Sequence, residues 1–362
     1  MFMKKHRDKA PVSAELAKAL SQLKKDTDTK LNIFDIEISD EEAKILVEAI
    51  KSNKTLTELS LFDVKISAEG FKVLAEALNS NQTLTKLQLR GIKFGTDGAL
   101  ALAKVLKVNP TLTKLVLWKN DIGDEGAIIF ADILEFNQTL LQLELCDNNI
   151  AERGGRALAE ALKINRTLVQ FSLYRNKIGF EGTRAIAEML EVNQALTQLD
   201  LYGNNLRAEG AKAMADAIRV NSTLTHLNLS GNTIGDEGAK SVGEAVKENH
   251  ALIHLNLSSS LIGFMSDEEE GEVAKVLAEA LKVNQVLTQL NLGNNRINAM
   301  GTIAIAEALK VNRTLTELNL GSNEIVGDRG SIALAEALKE NPTLTQLDIH
   351  GNRIGNPGAL AL

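Results

Sequence analysis

Few residues of this 362-residue chain could carry out catalysis. Cys146 is the single cysteine, and the equivalent positions of the neighbouring segments hold no histidine that could activate it as a nucleophile. The chain also lacks a P-loop, an HExxH motif and a nucleophile elbow, the local motifs of phosphate binding, zinc hydrolysis and serine catalysis. The sequence therefore predicts a protein that is not an enzyme and has no catalytic, cofactor-binding or metal-binding residues.

A pair of histidines raises the question of a metal site. His226 and His254 lie at equivalent positions of two adjacent segments, so their rings could share a metal ion. Zinc normally takes a third protein ligand, and none is evident. The sequence favours two outward polar residues in a column that elsewhere holds glutamine, at Gln142, Gln170, Gln198 and Gln289.

Glycine-rich and acidic segments also have structural explanations. The glycines of "GDEG" at 123 and 235 recur in equivalent turns, which favours a repeated turn over a phosphate cradle. The segment "FMSDEEEGE", 264–272, lacks the alternating oxygen ligands and the glycine turn of a calcium loop. We interpret it as a solvated charged loop, and a secondary contact through Phe264 and Met265 is the alternative.

One repeat positions all of these residues. The turn asparagines fall at 53, 81, 109, 137, 165, 193, 221 and 249, and then at 284, 312 and 341. Each unit runs from "NxTLxxLxL" to "AxALAEALKxN", so apolar residues at period two give way to apolar residues at helical spacing. Each unit is therefore predicted to be a short strand and a helix, with Leu115 and Leu117 inward and Val116 and Trp118 outward. Asn109, just past a helix end, is expected in the left-handed cap conformation.

A second asparagine follows most strands and is predicted to form a ladder of buried amides that satisfy backbone groups of neighbouring turns. Its members are Asn120, Asn148, Asn176, Asn204, Asn232, Asn295, Asn323 and Asn352, with Ser260 once and with Ile36, Val64 and Ile92 in the first three units. The pattern "LxxLxLxxN", repeated every 28 to 29 residues with "LAEAL" helices, resembles the ribonuclease-inhibitor-type leucine-rich repeat proteins over residues 31–362. NLR immune receptors, Ran GTPase-activating proteins, tropomodulin-like caps and effectors secreted by intracellular bacteria share these repeats.

The expected fold is an α/β leucine-rich repeat solenoid, a horseshoe with a parallel β-sheet on the concave side and α-helices on the convex side. It must bend because strands pair at about 4.8 Å whereas packed helices need about 8–10 Å. We predict a basic tail over residues 1–10, a capping helix within 11–30, and about twelve units over 31–362 with an inserted loop near 264–272. The chain stops at "NPGALAL", and the apolar edge expected there suggests truncation, pairing or a missing downstream domain.

The predicted binding site is the column formed by the residue after the second leucine of each strand. Every tryptophan and tyrosine lies in it, and strand parity aims these side chains away from the helices. Such residues are enriched at interface hot spots, and the flanking charges of mixed sign suit a polar rim. The predicted partner-binding residues are Phe34, Phe62, Arg90, Trp118, Lys119, Glu144, Cys146, Tyr174, Arg175, Asp200 and Tyr202.

Two expectations and one alternative explanation accompany this site. Cys146 is expected to be a free, partly exposed thiol with no structural role. The C-terminal half, with Asn, Ser and Gly at the concave positions, is interpreted as a spacer unless its shallow floor admits a partner's backbone. The alternative explanation of the aromatic residues in this column is that solenoid surfaces carry occasional aromatic side chains by sequence drift, without a binding role.

Composition limits the partners. The 40 basic and 47 acidic residues give a net charge of −7, which argues against nucleic acid. No apolar run is long enough to insert into a membrane, and no small-molecule substrate is expected. The lone cysteine and the absence of an apolar signal segment predict a cytoplasmic protein, in the host cytosol if it is a secreted effector.

The sequence thus favours a non-enzymatic scaffold that binds a protein partner on its concave face. The resemblance makes a bacterial effector acting in a host cell the most attractive setting. Two alternatives stay open. One is a GTPase-activating protein resembling the Ran activator, although no matching loop motif or acidic tail is present. The other is a fragment of a larger NLR-like receptor.

Overall fold

The structure is a computed structural model that describes residues 12–25, 27–263, 271–323 and 327–362. The predicted basic tail and residues 264–270 of the inserted segment, with Phe264 and Met265, lie outside the described residues. The helices are α1 (Ala14–Lys25), α2 (Asp40–Ser52), α3 (Ala68–Ser80), α4 (Gly95–Val108), α5 (Gly123–Leu134), α6 (Glu152–Ile164), α7 (Gly179–Val192), α8 (Arg207–Val220), α9 (Gly235–Glu248), α10 (Glu272–Val283), α11 (Ala299–Val311), α12 (Gly327–Glu340) and α13 (Asn356–Ala361). The strands are β1 (Lys30–Phe34), β2 (Glu37–Ile38), β3 (Glu58–Phe62), β4 (Lys65–Ile66), β5 (Lys86–Arg90), β6 (Lys114–Trp118), β7 (Gln142–Glu144), β8 (Gln170–Ser172), β9 (Gln198–Asp200), β10 (His226–Asn228), β11 (His254–Asn256), β12 (Gln289–Asn291), β13 (Glu317–Asn319) and β14 (Gln346–Asp348).

A parallel sheet runs through the repeat region. Within the described residues it has twelve strands, in the order β1-β3-β5-β6-β7-β8-β9-β10-β11-β12-β13-β14. Each strand pairs with the strand of the next unit, and the register aligns equivalent repeat positions, so that Arg90 lies opposite Trp118 and His226 opposite His254. The prediction of an α/β leucine-rich repeat solenoid built on a parallel sheet is confirmed.

The hydrophobic core lies between the sheet and the helices. Leu115 and Leu117 of β6 are fully buried, and they belong to the same core as Leu102 and Leu106 of α4. Burial of one such side chain stabilises the fold by about 1.5–3 kcal/mol. At the N-terminal side, Leu16, Leu20 and Leu23 of α1 are buried in this core as well. The leucines at inward strand positions are therefore buried in the core, as their period-two spacing predicts.

The turn asparagines form one ladder of hydrogen bonds between units. Asn109 Nδ2 donates to the carbonyls of Leu78 and Asn81 at 2.7 and 3.1 Å, and its Oδ1 accepts from the N–H groups of Thr111 and Leu112 at 3.0 and 2.9 Å. Its backbone is extended, with φ −74° and ψ 121°. The expectation of a left-handed cap at Asn109 is therefore wrong. An extended backbone lets one side chain reach the preceding turn and also hold the start of its own turn.

The second asparagine ladder lies beneath the loops that follow the strands. Asn148 is completely buried, its Nδ2 donates to Leu117 O at 2.6 Å, and its Oδ1 accepts from Asn120 N at 2.8 Å. The first units, which carry Ile36 and Val64 at this position, pair β2 with β4 instead, and Lys65 N donates to Ile36 O at 2.8 Å. Backbone groups of neighbouring units are thus satisfied by strand pairing between the first two units and by buried amides in the units that follow.

The "GDEG" turns cap the following helix. Asp124 Oδ1 accepts from the N–H groups of Ala151 and Gly154, at 2.7 and 2.9 Å, at the start of α6. Gly123 begins α5 with φ +62°, a conformation that favours glycine. The motif therefore has a structural explanation as a cap between units.

Removal of a buried amide is predicted to lower the stability of the fold. Replacement Asn148→Ala leaves Leu117 O and Asn120 N without that partner, and each buried unpaired group costs about 1–3 kcal/mol. We expect the free energy of unfolding, measured by urea titration, to fall by about 2–5 kcal/mol. The exposed turn residue Gln138 is the matched control, and Gln138→Ala should leave the midpoint near that of the wild type. Equal effects of the two variants would show that the ladder does not hold the units together.

Candidate functional site on the concave face

Three columns of side chains leave the sheet on the side away from the helices, because alternate strand residues point to opposite faces. The aromatic column is Phe34, Phe62, Arg90, Trp118, Cys146, Tyr174, Tyr202, Ser230, Ser258, Gly293, Gly321 and His350. The central column, two residues earlier, includes Glu144, Ser172, Asp200, Asn228, Asn256, Asn291, Asn319 and Asp348. The third, the glutamine–histidine column, includes Gln142, Gln170, Gln198, His226, His254, Gln289, Glu317 and Gln346.

The aromatic column contains a continuous cluster of rings. The centroids of Trp118 and Tyr174 lie 5.9 Å apart in an edge-to-face arrangement, and Tyr174 stacks on Tyr202 at 4.5 Å. The guanidinium groups of Arg90 and Arg175 lie 5.2 and 5.9 Å from the ring centroids of Trp118 and Tyr174. The structure therefore brings together five of the predicted partner-binding residues in one cluster.

The solvent exposure of Cys146 is lower than the sequence led us to expect. Its residue is only 5% exposed, so the prediction of a partly exposed thiol is wrong. Trp118 and Tyr174 are two strand steps apart, about 10 Å along the sheet, yet their ring centroids are 5.9 Å apart. The two rings lean together over the strand that carries Cys146, and its Sγ contacts Ser172 Oγ at 3.4 Å. Burial raises the pKa of the Cys146 thiol to about 12.

The other predicted site residues lie at the ends and rim of this cluster. Phe34 stacks on Phe62 at 5.1 Å at the N-terminal end, where Phe34 is 55% exposed. Lys119, in the loop after β6, forms an exposed ion pair with Asp147 at 3.8 Å. Glu144 is bound by Gln142 Nε2 at 2.7 Å and lies 3.5 Å from Lys114 Nζ. The charges flank the rings, as expected for a polar rim.

The indole nitrogen of Trp118 lacks a partner. Trp118 Nε1 is buried and has no hydrogen-bond acceptor among the described residues. A buried donor without an acceptor is unfavourable, because it has lost its hydrogen bond to water.

A groove of about 770 Å³ extends from the aromatic cluster into the C-terminal half. Of the predicted site residues it is lined by Trp118, Glu144, Cys146, Tyr174 and Asp200. Its remaining lining consists mainly of the central and glutamine–histidine columns as far as Gln346 and Asp348. The C-terminal half, which the sequence led us to interpret as a spacer, therefore contributes much of the groove lining, through Asn228, Asn256, Asn291 and Asn319. Two amide-rich columns side by side over successive strands were the signal that could have found them.

The floor of the C-terminal half presents hydrogen-bond donors. Asn256 Oδ1 accepts from Ser258 N at 3.0 Å, Asn291 Oδ1 from Gly293 N at 2.9 Å, and Asn319 Oδ1 from Gly321 N at 2.8 Å. Because each Oδ1 is used in this way, the hydrogen-bond network directs the Nδ2 groups into the groove. A Cβ at position 293 would lie 2.9 Å from Asn319 Oδ1, so the floor has to stay flat there.

The two histidines stack within the groove. The ring centroids of His226 and His254 are 4.0 Å apart with the planes tilted by 35°. Thr225 Oγ1 donates to Thr197 O at 3.0 Å, so at its 2.8 Å contact with His226 Nδ1 it accepts the ring proton. Burial lowers the pKa of both histidines, His254 lowers that of His226 further, and Glu317 opposes the shift at His254. The pair is therefore neutral at pH 7.

The described residues offer no candidate for a metal site or for a membrane span. They contain no cluster of three or more histidine, cysteine or acidic side chains that could hold a metal ion. They also contain no helix with the length and apolar character needed to cross a bilayer.

Eight segments of the chain match the family described as Leucine Rich repeat. They are residues 80–103, 108–131, 136–159, 192–215, 220–243, 283–306, 311–335 and 340–362, which together make up just over half of the chain. The chain belongs to the leucine-rich repeat family. No curated protein matches this leucine-rich repeat chain in sequence.

Three solved structures are similar to this chain. The Rad7 and Elc1 complex from yeast is 19% identical over 95% of this chain and 84% of that chain, with a TM-score of 0.48. The actin-binding site 2 of leiomodin-1 is 22% identical over 45% of this chain and 88% of its own, with a TM-score of 0.38. The C-terminal domain of tropomodulin from Caenorhabditis elegans is 21% identical over 44% of this chain and 92% of its own, with a TM-score of 0.36.

The burial of Cys146 predicts slow modification. A thiol with a pKa of about 12 is almost fully protonated at pH 8, and the thiolate is the reactive form. We expect a thiol reagent to label the native leucine-rich repeat chain much more slowly than the urea-unfolded chain. Trp118→Ala should accelerate native labelling by uncovering Cys146, whereas Phe34→Ala, at the far end of the column, should not. Native labelling as fast as that of the unfolded chain would contradict the burial.

Proposed function

We propose that this leucine-rich repeat chain is a non-enzymatic scaffold that binds a protein partner on its concave face, at the aromatic cluster and the groove beside it. The leucine-rich repeats point to a protein-interaction scaffold. The main support for placing the partner on this face is the cluster of Arg90, Trp118, Tyr174 and Tyr202, which is partly exposed at the N-terminal end of the groove. Aromatic and arginine side chains of this kind dominate the binding free energy of protein interfaces.

The cluster is not explained by core packing. The hydrophobic core contains Leu117 and Leu173, whereas Trp118, Tyr174 and Tyr202 lie on the opposite face of the sheet and outside that core. The parallel sheet holds the rings on a rigid support, so they are already ordered before a partner arrives. Pre-ordered aromatic side chains lose little conformational entropy on binding, which favours affinity.

The concave face is also large enough for a stable complex. Phe34 and Tyr202 are separated by six strand steps, or roughly 29 Å. A standard interface buries about 800 Å² on each partner, which a patch of this length can supply together with the groove. The predicted site therefore fits a globular protein or a long segment of one.

Chemistry at the site supports binding over catalysis. The one thiol of the chain is buried, and the pKa of Cys146 is raised to about 12, so almost no thiolate exists at neutral pH. The neutral histidine pair faces Gln198 and Gln289 across the sheet rather than a nucleophile. These features support the non-enzymatic part of the proposal.

The proposed setting is the cytoplasm. A single cysteine, which can form no disulfide within the chain, supports a reducing compartment. Action of a bacterial effector in the cytosol of a host cell is the setting that the resemblance to secreted leucine-rich repeat effectors suggests.

The proposal predicts a separation of binding from stability. In Trp118→Ala with Tyr174→Ala, the melting temperature should stay within a few degrees of the wild type, because neither side chain is part of the core. Capture of the cognate partner, measured by crosslinking pull-down and mass spectrometry, should be lost.

The matched control is Phe136→Ala. Phe136 is an aromatic side chain that is 80% exposed, lies just past the end of α5 and does not line the groove. If the Phe136→Ala variant fails to capture the partner while the double variant still captures it, the binding surface lies outside the concave face and the proposal is overturned.

A further inference from the structure

The groove is lined by carboxylates and amides, while no lysine or arginine of the described residues lines it. Its carboxylates are Glu144, Asp200, Glu317 and Asp348. Glu144 lies 3.5 Å from Lys114 Nζ at the groove edge, and Asp348 contacts His350 Nδ1 at 2.6 Å. Asp200 and Glu317 form no ion pair with the described lysine and arginine residues. Two carboxylates of the groove are therefore left without a cation.

Asp200 is the more confined of these two groups. Its Oδ1 accepts from Tyr202 N at 2.9 Å, and the side chains of Asn228 and Ser172 also hydrogen-bond to it. Burial nevertheless outweighs these bonds and raises the pKa of its carboxyl group. Desolvation of a carboxylate that faces no cation destabilises the charged form. A cation supplied by a bound partner would remove that cost and lower the pKa again.

The neighbouring rings are suited to cations. Arg90 and Arg175 already place guanidinium groups over the faces of Trp118 and Tyr174. Tyr174, which stacks on Tyr202, lines the groove together with Asp200. An aromatic face beside a carboxylate binds the apolar stem of a lysine or arginine together with its charged end.

The rest of the floor suits the backbone of the same partner. Asn256 and Asn291 lie on β11 and β12, between the strands of Asp200 and Glu317, and Asn319 lies on the same strand as Glu317. Their Nδ2 groups can donate to peptide carbonyl groups. Gly293 leaves the adjoining column without a side chain on its unit, whereas the ring of His350 lies beside Gly321. Asp200 and Glu317 belong to β9 and β13, four strand steps or about 19 Å apart.

We propose that the groove binds a segment of the partner protein that carries lysine or arginine side chains, with one cation beside Asp200 and Tyr174 and another beside Glu317. The inference rests on the proposed concave-face function and assigns the chemistry of the partner. The aromatic cluster anchors one end of the segment, and the asparagine floor holds its backbone toward the C-terminal half.

The repeat itself supplies conservative test substitutions. Asp200→Asn places at this position the residue that the next unit has at Asn228, and Glu317→Gln places the residue that the preceding unit has at Gln289. The matched control, Asp132→Asn with Glu76→Gln, removes two exposed carboxylates from α5 and α3 and changes the net charge equally.

The probe is a fluorescein-labelled peptide of alternating lysine and serine, with a glutamate and serine peptide of the same length for comparison. We expect fluorescence anisotropy to show saturable binding of the lysine peptide alone, and a loss of about tenfold in affinity in Asp200→Asn with Glu317→Gln. The control pair should bind within a factor of two or so of the wild type. If the double variant does not fold, Glu317→Gln alone should still weaken binding, because its side chain is partly exposed.

The outcomes separate this inference from the concave site. Equal weakening by both pairs would show non-specific attraction to a protein of negative net charge and overturn the inference. Absence of lysine-peptide binding, with partner capture still dependent on Trp118 and Tyr174, would refute the basic segment and leave the concave site intact. If peptide binding does not depend on Asp200 and Glu317, and partner capture does not depend on Trp118 and Tyr174, both proposals are refuted.

Discussion

Everything in this molecule depends on a fixed register between one repeat and the next, held by two ladders of asparagine side chains. The turn asparagines, such as Asn109, tie each helix end to the preceding turn, and the buried asparagines, such as Asn148, tie each loop to its neighbours. The leucine core supplies most of the stabilisation, but apolar contacts are not directional. Directional amide bonds select the one register in which equivalent residues of adjacent units lie side by side.

This register gives the concave face its properties. Residues 28 positions apart in sequence, such as Tyr174 and Tyr202 or His226 and His254, come to ring distances of 4.5 and 4.0 Å. Equivalent side chains of neighbouring units therefore lie side by side, and the outward positions differ between units while the core repeats. The N-terminal half carries rings and arginines there, and the C-terminal half carries amides, histidines and glycines.

The fold was predictable from the sequence because it depends on periodicity alone. The inward leucines, the parallel sheet and the asparagine ladder after the strands follow from spacing. The extended backbone of Asn109 was not predictable, since helix-end statistics do not include hydrogen bonds to a neighbouring unit. The burial of Cys146 depends on the rotamers of Trp118 and Tyr174, and the depth of the groove depends on curvature; neither is encoded in a single repeat. The predicted partner-binding column stays a prediction.

Site-specific photo-crosslinking can locate a protein partner on the concave face. A photoreactive phenylalanine analogue at position 202 lies beside the groove on the concave face, and the same group at position 136 lies at the end of α5. With the partner captured by the wild-type chain, the account predicts a crosslinked product from position 202 and none from position 136. A product from position 136, with none from position 202, would contradict it.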